Sequence, residues 1–298
     1  MNILETKQLS FSYKNKSVLE GVDLAIPKGS IYGYLGKNGS GKTTTIKLLL
    51  GLLSAKQDSI LFENKEFTSN RVDILSRVGS LIESPCYYDD LNGREHLEYL
   101  DIIFKQGKKR IQEVLKIVGL SNTQNLRVKK YSTGMKQRLG IAMAMFHNPD
   151  LLILDEPLNG LDPAGVHDMR EIMLQLKSEG KTILFSSHIL GEIEKTCTHI
   201  GVLNQGSLLY QGELVHLLTN VSRKIYLRTN NAVLTLKILQ EHSLKSEKLN
   251  DSIITVYVSS DKDYNKVISL LVNNQIEIYS IETKENDLES VYLNLISK

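Results

Sequence analysis

With 298 residues, 41% hydrophobic and 23% charged, and a net charge of only +2, the chain has an ordinary globular composition and a length that suggests about two domains. Lysines and carboxylates are mixed along it, which speaks against a nucleic-acid or lipid footprint built from a basic block. Cys86 and Cys197 show neither metal-ligand spacing nor a disulfide framework, which favours a reducing compartment. Met1 to Ser10 lacks the pattern of a signal peptide, and the longest apolar run, Leu48 to Leu53, is far too short to span a bilayer.

In chain order, residues 1 to 35 alternate apolar and polar, with turns at Lys14-Asn15-Lys16 and Pro27-Lys28-Gly29, and predict short antiparallel strands. Ile31 to Leu35 predicts a strand that runs straight into a glycine-rich loop, and Thr43 to Leu53 predicts a helix. Between residues 84 and 147 the apolar residues change to helical spacing, as in Leu97, Leu100, Ile103 and Phe104, then Ile111, Val114, Leu115 and Val118. This pattern predicts a helical subdomain inserted into an α/β core. Leu151 to Leu154 is a continuous apolar run that suits a strand buried on both faces. Val166 to Lys177 predicts a helix, Thr182 to Ser186 another buried strand, and Ile200 to Leu203 with Ser207 to Tyr210 a hairpin across Asn204-Gln205-Gly206.

The pattern shifts again near Asn220. Beyond it the order is strand Lys224–Arg228, helix Ala232–Gln240, strand Leu244–Glu247, a turn at Asn250-Asp251, strand Ile253–Val258, helix Tyr264–Asn273, strand Glu277–Ile281 and helix Asp287–Ile296. That βαββαβα order predicts a small ferredoxin-like αβ domain over residues 220–298, behind a first domain of residues 1–219. The second domain has no glycine and no cluster of catalytic residue types, which points to docking or regulation.

Three stretches carry chemistry. Gly36 to Thr43 matches G-x-x-x-x-G-K-[ST] between a strand and a helix, the context in which that motif binds nucleotide phosphates. Gly36, Asn38, Gly39, Ser40, Gly41, Lys42, Thr43 and Thr44 form the expected cradle: backbone N–H groups face the phosphate oxygens, Lys42 reaches the β and γ phosphates, and Thr43 holds Mg²⁺. Leu151 to Leu154 ends in Asp155-Glu156, which places Asp155 to orient the Mg²⁺ and Glu156 to polarise an attacking water. Tyr131-Ser132-Thr133-Gly134-Met135-Lys136-Gln137-Arg138 precedes a helix, where Ser132 also suits an N-cap.

These three stretches, with Asp162 after Asn159-Gly160-Leu161 and His188 after a strand, resemble in order and spacing the ATPase subunits of ABC transporters. The resemblance covers residues 1 to about 215. It implies an ABC-type P-loop ATPase core with antiparallel β and helical subdomains, and ATP and Mg²⁺ as ligands. Two cassettes would pack head to tail, as a homodimer or a heterodimer, so that Ser132 and Gly134 of one reach the γ-phosphate bound by the other. His188 would contact the γ-phosphate and hold the attacking water with Glu156, Asp162 would sit at the dimer interface and couple the two sites, and Tyr13 would stack on the adenine. The resemblance also implies a separate transmembrane permease subunit and a cytoplasmic position on the inner face of the cell membrane, while the lack of a basic block argues against a nucleic-acid partner.

Two departures from the family pattern stand out. Most members carry Gln at the end of the strand Val78 to Ile82, where this chain has Glu83, and the signature reads Tyr-Ser-Thr-Gly-Met in place of Leu-Ser-Gly-Gly-Gln. Both are similar to the bacitracin-resistance and lantibiotic-immunity branch, whose members export peptide antibiotics or toxins. Glu83 either replaces Gln as an oxygen ligand of the metal or tightens Mg²⁺ dependence through its charge. Residues 85–90, with Tyr87 and Tyr88, lie where a membrane subunit would dock, or those tyrosines pack within the helical subdomain. Competing readings are a soluble ABC ATPase acting on ribosomes or DNA, and a sensor with little turnover. The single uninterrupted cassette without a basic tract disfavours the first, and the intact Glu156 and His188 disfavour the second.

Overall fold

The computed structural model describes residues 1–14, 16–83, 86–123, 125–219, 223–250, 252–258, 260–284 and 287–297. Asn15 of the first turn, Pro85 of the docking segment, Asn220 at the domain shift and Asp251 of the last turn lie outside the described residues. The chain divides into two compact units, Met1–Glu213 and Leu214–Lys298.

The first unit opens with strands β1 (Asn2–Thr6), β2 (Leu9–Tyr13), β3 (Lys16–Val22), β4 (Ala25–Pro27) and β5 (Ile31–Leu35). Helix α1 (Lys42–Leu49), β6 (Ile60–Phe62), β7 (Lys65–Glu66), α2 (Arg71–Leu75) and β8 (Val78–Leu81) follow. The helical segment holds α3 (Gly93–Phe104), α4 (Gly107–Ile117) and α5 (Thr133–Met145). Then come β9 (Leu151–Leu154), α6 (Pro163–Ser178), β10 (Thr182–Ser187), α7 (Leu190–Thr196), β11 (His199–Asn204) and β12 (Ser207–Glu213).

The central sheet has the order β12-β11-β5-β10-β9-β8. Its pairs from β11 to β8 are parallel, and β12 closes one edge antiparallel to β11. Every residue of β5, β9 and β10 is buried, as strands covered on both faces require. Antiparallel pairs build a second sheet, β4-β1-β6-β7, and the separate ribbon β2-β3. The register aligns Leu35 with Ser187 and Leu154 with Phe185, so β5 and β10 end level and β9 ends beside them, opposite Phe185. The crevice beyond such strand ends is where open α/β sheets bind ligands.

Helix α1 stops short of the predicted Leu53. Gly51 takes φ +66 and donates its N–H to Leu48 O, while Leu52 N–H returns to Lys47 O, so a left-handed glycine closes the helix. The stripe predicted on α3 is also only partly a core stripe. Leu97 is fully buried, whereas Ile103 and its neighbour Ile102 are 72% and 71% exposed. Helix α3 begins on a reciprocal Asn92–Glu95 capping box.

Helix α5 lies tightly on β8, and Gly79 makes that approach possible. A Cβ at this position would sit 2.1 Å from Ala144 O, a backbone atom that cannot move aside alone. Gly79→Ala is therefore expected to destabilise the chain by about 1–3 kcal/mol, read as a lower urea midpoint at unchanged m-value.

The second unit contains α8 (Leu214–Thr219), β13 (Arg223–Thr229), α9 (Ala232–Glu241), β14 (Ser246–Lys248), β15 (Ile253–Val258), α10 (Asp261–Asn273), β16 (Ile278–Lys284) and α11 (Leu288–Ile296). Its sheet, β14-β15-β13-β16, is antiparallel throughout, the split βαβ arrangement predicted from the element order. Ile225, Leu227, Ile254 and Val256 of the sheet share one buried cluster with Ile238 and Leu239 of α9 and Val267 and Leu271 of α10. Strand β14 starts later than predicted because Leu244 closes α9, donating its N–H to Leu239 O. Among the described residues no helix is long and apolar enough to cross a membrane.

Candidate functional site

Strand β5 delivers the glycine loop to the N-terminus of α1. Gly39 and Gly41 adopt φ +81 and +112, which a side chain would resist. Helix α1 has no side-chain N-cap and no acidic residue in its first turn, so its leading N–H groups and its positive end remain available to an anion. In front lies a cavity of about 570 Å³. Asn38, Gly39, Gly41, Lys42, Thr43 and Thr44 line it from the loop, with Glu156 beside them and Tyr13 on the wall formed by β2 and β3. Gly36 and Ser40 do not form part of this wall; the Ser40 hydroxyl is buried behind the loop without a hydrogen-bond partner.

Lys42 is 6% exposed, and its Nζ donates to Gly36 O at 2.7 Å while lying 3.3 Å from Glu156 Oε1. The other carboxylate oxygen of Glu156, Oε2, meets His188 Nδ1 at 2.9 Å. Thr43 Oγ1 donates to Asp155 Oδ2 at 2.8 Å. Asp155 is buried, and its Oδ1 accepts the Ser186 hydroxyl at 2.5 Å.

Strand β10 lies between β5 and β9, and its Ser186 fills the gap between their ends. Besides donating to Asp155, Ser186 Oγ accepts the Glu156 N–H at 2.8 Å. That bond helps hold Glu156 at φ +48, a costly backbone conformation for a non-glycine residue. Ser186 thus orients both acids. Nothing in the sequence marks it, since a lone serine at a strand end has no motif. The wall residues Lys16, Ser17, Val18 and Gln205 also lie outside the motifs.

The remaining predicted residues sit elsewhere. Ser132 caps α5, accepting Met135 N–H, and Asp162 caps α6, accepting Gly165 N–H. The two caps are neighbours: a Cβ at Gly134 would lie 3.7 Å from Leu161 Cδ2, and one at Gly160 would lie 3.7 Å from Thr133 Cγ2. Neither segment lines the cavity. Tyr13 is 48% exposed, edge-on to Phe11. Glu83 does not line the cavity either; its carboxylate lies 2.9 Å from Lys47 Nζ. The two tyrosines of the docking segment divide. Tyr87 donates its hydroxyl to Lys136 O on α5 at 2.5 Å, whereas Tyr88 is 64% exposed and tilts against Tyr99 of α3.

Comparison with known proteins agrees with this geometry. The ABC transporter family model matches residues 19–159. The bacitracin transport ATP-binding protein of Bacillus licheniformis is 39% identical over 298 residues, covering 99% of this chain and 97% of that protein. The lantibiotic transport ATP-binding protein of Streptococcus pyogenes is 42% identical over 211 residues, 71% of this chain and 91% of its own length. A solved ATP-binding subunit of an ABC transporter superposes with a TM-score of 0.65 at 30% identity, covering 72% of this chain and 91% of that one. With full-length relatives and the phosphate loop, acidic strand end and capped signature helix in place, the chain belongs to the ATP-binding, ATP-hydrolysing subunits of ABC transporters.

Proposed function

We propose that this subunit drives export of peptide antibiotics or related toxins, bound to a separate membrane permease and paired with a second cassette. The observation that carries the catalytic part is the cluster at the strand ends, where Lys42, Glu156 and His188 meet within 3.3 Å. Lys42 grips the terminal phosphates of ATP. Glu156 takes a proton from the attacking water, and His188 orients the Glu156 carboxylate.

The residues present fit Mg²⁺. Thr43 Oγ1 and Asp155 Oδ2 are two hard oxygens 2.8 Å apart at the mouth of the phosphate loop. Among the described residues no group of three or more His, Cys, Asp and Glu forms a self-sufficient metal cage. That pattern suits an ion whose remaining positions are filled by substrate phosphates and water. When bound, the ion neutralises charge on the β and γ phosphates.

Ser132, Gly134 and Asp162 lie off the cavity wall, which supports their serving a partner cassette's nucleotide. The permease-facing surface is the apolar patch around Tyr88. Tyr99, Ile102 and Ile103 stand at i, i+3 and i+4 on α3, from 59% to 72% exposed, beside Tyr88. The bacitracin and lantibiotic transport relatives supply the cargo class.

The test is co-expression with a polytopic membrane subunit of the bacitracin or lantibiotic transport type in a peptide-sensitive host. Tolerance to bacitracin or a lantibiotic should rise, and the two chains should co-purify from membranes. Charged replacement of Ile102 and Ile103 should abolish co-purification while leaving ATP binding intact. Unchanged tolerance across a peptide panel would rule out the cargo class. Persistent co-purification of the charged variant would move the docking surface elsewhere.

A further inference from the structure

Glu156 stands in a left-handed turn, φ +48, which costs free energy for any residue but glycine and persists only where the surroundings hold it. Two hydrogen bonds to its backbone do so. The Glu156 N–H donates to Ser186 Oγ at 2.8 Å, and the Glu156 carbonyl accepts the Asn159 N–H at 3.1 Å. Ser186 is fully buried on β10, and its own proton goes to Asp155 Oδ1 at 2.5 Å. An ionised carboxylate only accepts and a backbone N–H only donates, so a single orientation of the hydroxyl serves both. Donation to a carboxylate also makes the hydroxyl oxygen a stronger acceptor for the Glu156 N–H. Ser187, the next residue, accepts the Ile189 N–H at 3.0 Å, so the two serines have separate tasks.

The side chain of Glu156 is held less securely. Its two oxygens meet Lys42 Nζ at 3.3 Å and His188 Nδ1 at 2.9 Å. Lys42 is also the cation that grips the terminal phosphates of ATP, so bound nucleotide competes with Glu156 for it. His188 is 44% exposed, and water competes for that contact. The buried bond from Ser186 is open to neither competitor. It therefore fixes the point from which the Glu156 side chain extends, with or without nucleotide.

We propose that Ser186 is a positioning residue for ATP hydrolysis: its hydroxyl, oriented by Asp155, locks the Glu156 backbone in the turn that aims the carboxylate at the attacking water. This rests on the assignment of Glu156 as the general base. Ser186 does not line the nucleotide cavity, so its effect belongs to the chemical step and not to ATP affinity.

The experiment compares Ser186→Ala, Glu156→Gln and the double variant, each as the full chain, by single-turnover ATP cleavage and by equilibrium binding of a fluorescent ATP analogue. Ser186→Ala should slow cleavage by about 10- to 100-fold, the scale of a displaced catalytic group, while ATP affinity stays within about twofold of the parent. In the Glu156→Gln background the same substitution should change the residual rate by less than about threefold, because no base is left to position. Should Ser186→Ala fail to fold, Ser186→Cys carries the same comparison, since a thiol nearly fills the space of the hydroxyl and is only a weak donor and acceptor.

An unchanged cleavage rate overturns the proposal. A matching loss of ATP affinity also overturns it, by making Ser186 part of the binding framework. An equal loss of rate in both backgrounds does the same, because Ser186 would then act through something other than Glu156. A serine with only a structural role would lower the melting temperature and leave the rate per folded chain alone. Glu156→Gln separates this inference from the reading beneath it. If that variant cleaves ATP like the parent, the base assignment itself falls. If it is slow and Ser186→Ala is not, only the role of Ser186 falls.

Discussion

Glu156→Gln is expected to slow ATP hydrolysis by about 10²- to 10⁴-fold, the usual contribution of a positioned general base, while leaving ATP binding intact. Glutamine keeps the shape of the side chain and removes its proton-accepting carboxylate. The Ser186 bond to the backbone N–H of residue 156 does not depend on the side chain, so the left-handed turn should persist. What changes is electrostatic. The carboxylate lies 3.3 Å from Lys42 Nζ and 2.9 Å from His188 Nδ1, close to where the terminal phosphate of ATP must lie. Removing that negative charge relieves repulsion with the phosphates, so affinity for ATP should hold or rise. Nucleotide that is bound but not cleaved should also keep paired cassettes together. Phosphate release, equilibrium nucleotide binding and sedimentation of the ATP-loaded variant measure the three effects. A variant that turns over like the parent would remove Glu156 from the chemistry.

The residues of this site were mostly visible in the sequence because polyphosphate chemistry is encoded in short, contiguous stretches. A glycine loop, its lysine and its threonine must be adjacent, and an acid pair must follow a strand with no polar interruption. Ser186 was not visible, because its role arises only when the sheet order inserts β10 between β5 and β9. Lys47 reads as an ordinary helical lysine until the fold brings Glu83 to it. Apolar spacing predicted α3 but could not tell its core face from its outward one, and of the spaced residues Leu97 lies inside and Ile103 outside. Residues 60–75 escaped prediction because β6, β7 and α2 are short and held by long-range contacts, such as the pairing of Phe62 with Leu4. The second unit was legible in outline, since its elements have clear period and firm caps, Asn231, Ser260 and Asp287 among them.

The second large effect concerns a glycine with no internal reason to be one. Gly134 is absent from the glycines with positive φ, and a Cβ there would meet only ordinary contacts, the nearest being Leu161 Cδ2 at 3.7 Å. Folding therefore permits a side chain at this position. The first turn of α5 contains no acidic residue, so an aspartate there also suits the helix N-terminus. Gly134→Asp should accordingly fold with an unchanged or slightly higher melting temperature. ATP hydrolysis should nevertheless fall by about 10²-fold or more, the scale of losing a charge-stabilising contact in the transition state. The reason lies outside the chain: the open space above Gly134 is proposed to receive the γ-phosphate held by a second cassette, and a carboxylate there both fills and repels. Lys42→Ala should lose hydrolysis by the opposite route, through loss of the grip on the nucleotide. Mixing the two inactive variants then discriminates. One mixed site would combine the intact phosphate loop of the Gly134→Asp chain with the intact signature of the Lys42→Ala chain, so activity should reappear. If each chain held a complete site of its own, mixing would restore nothing.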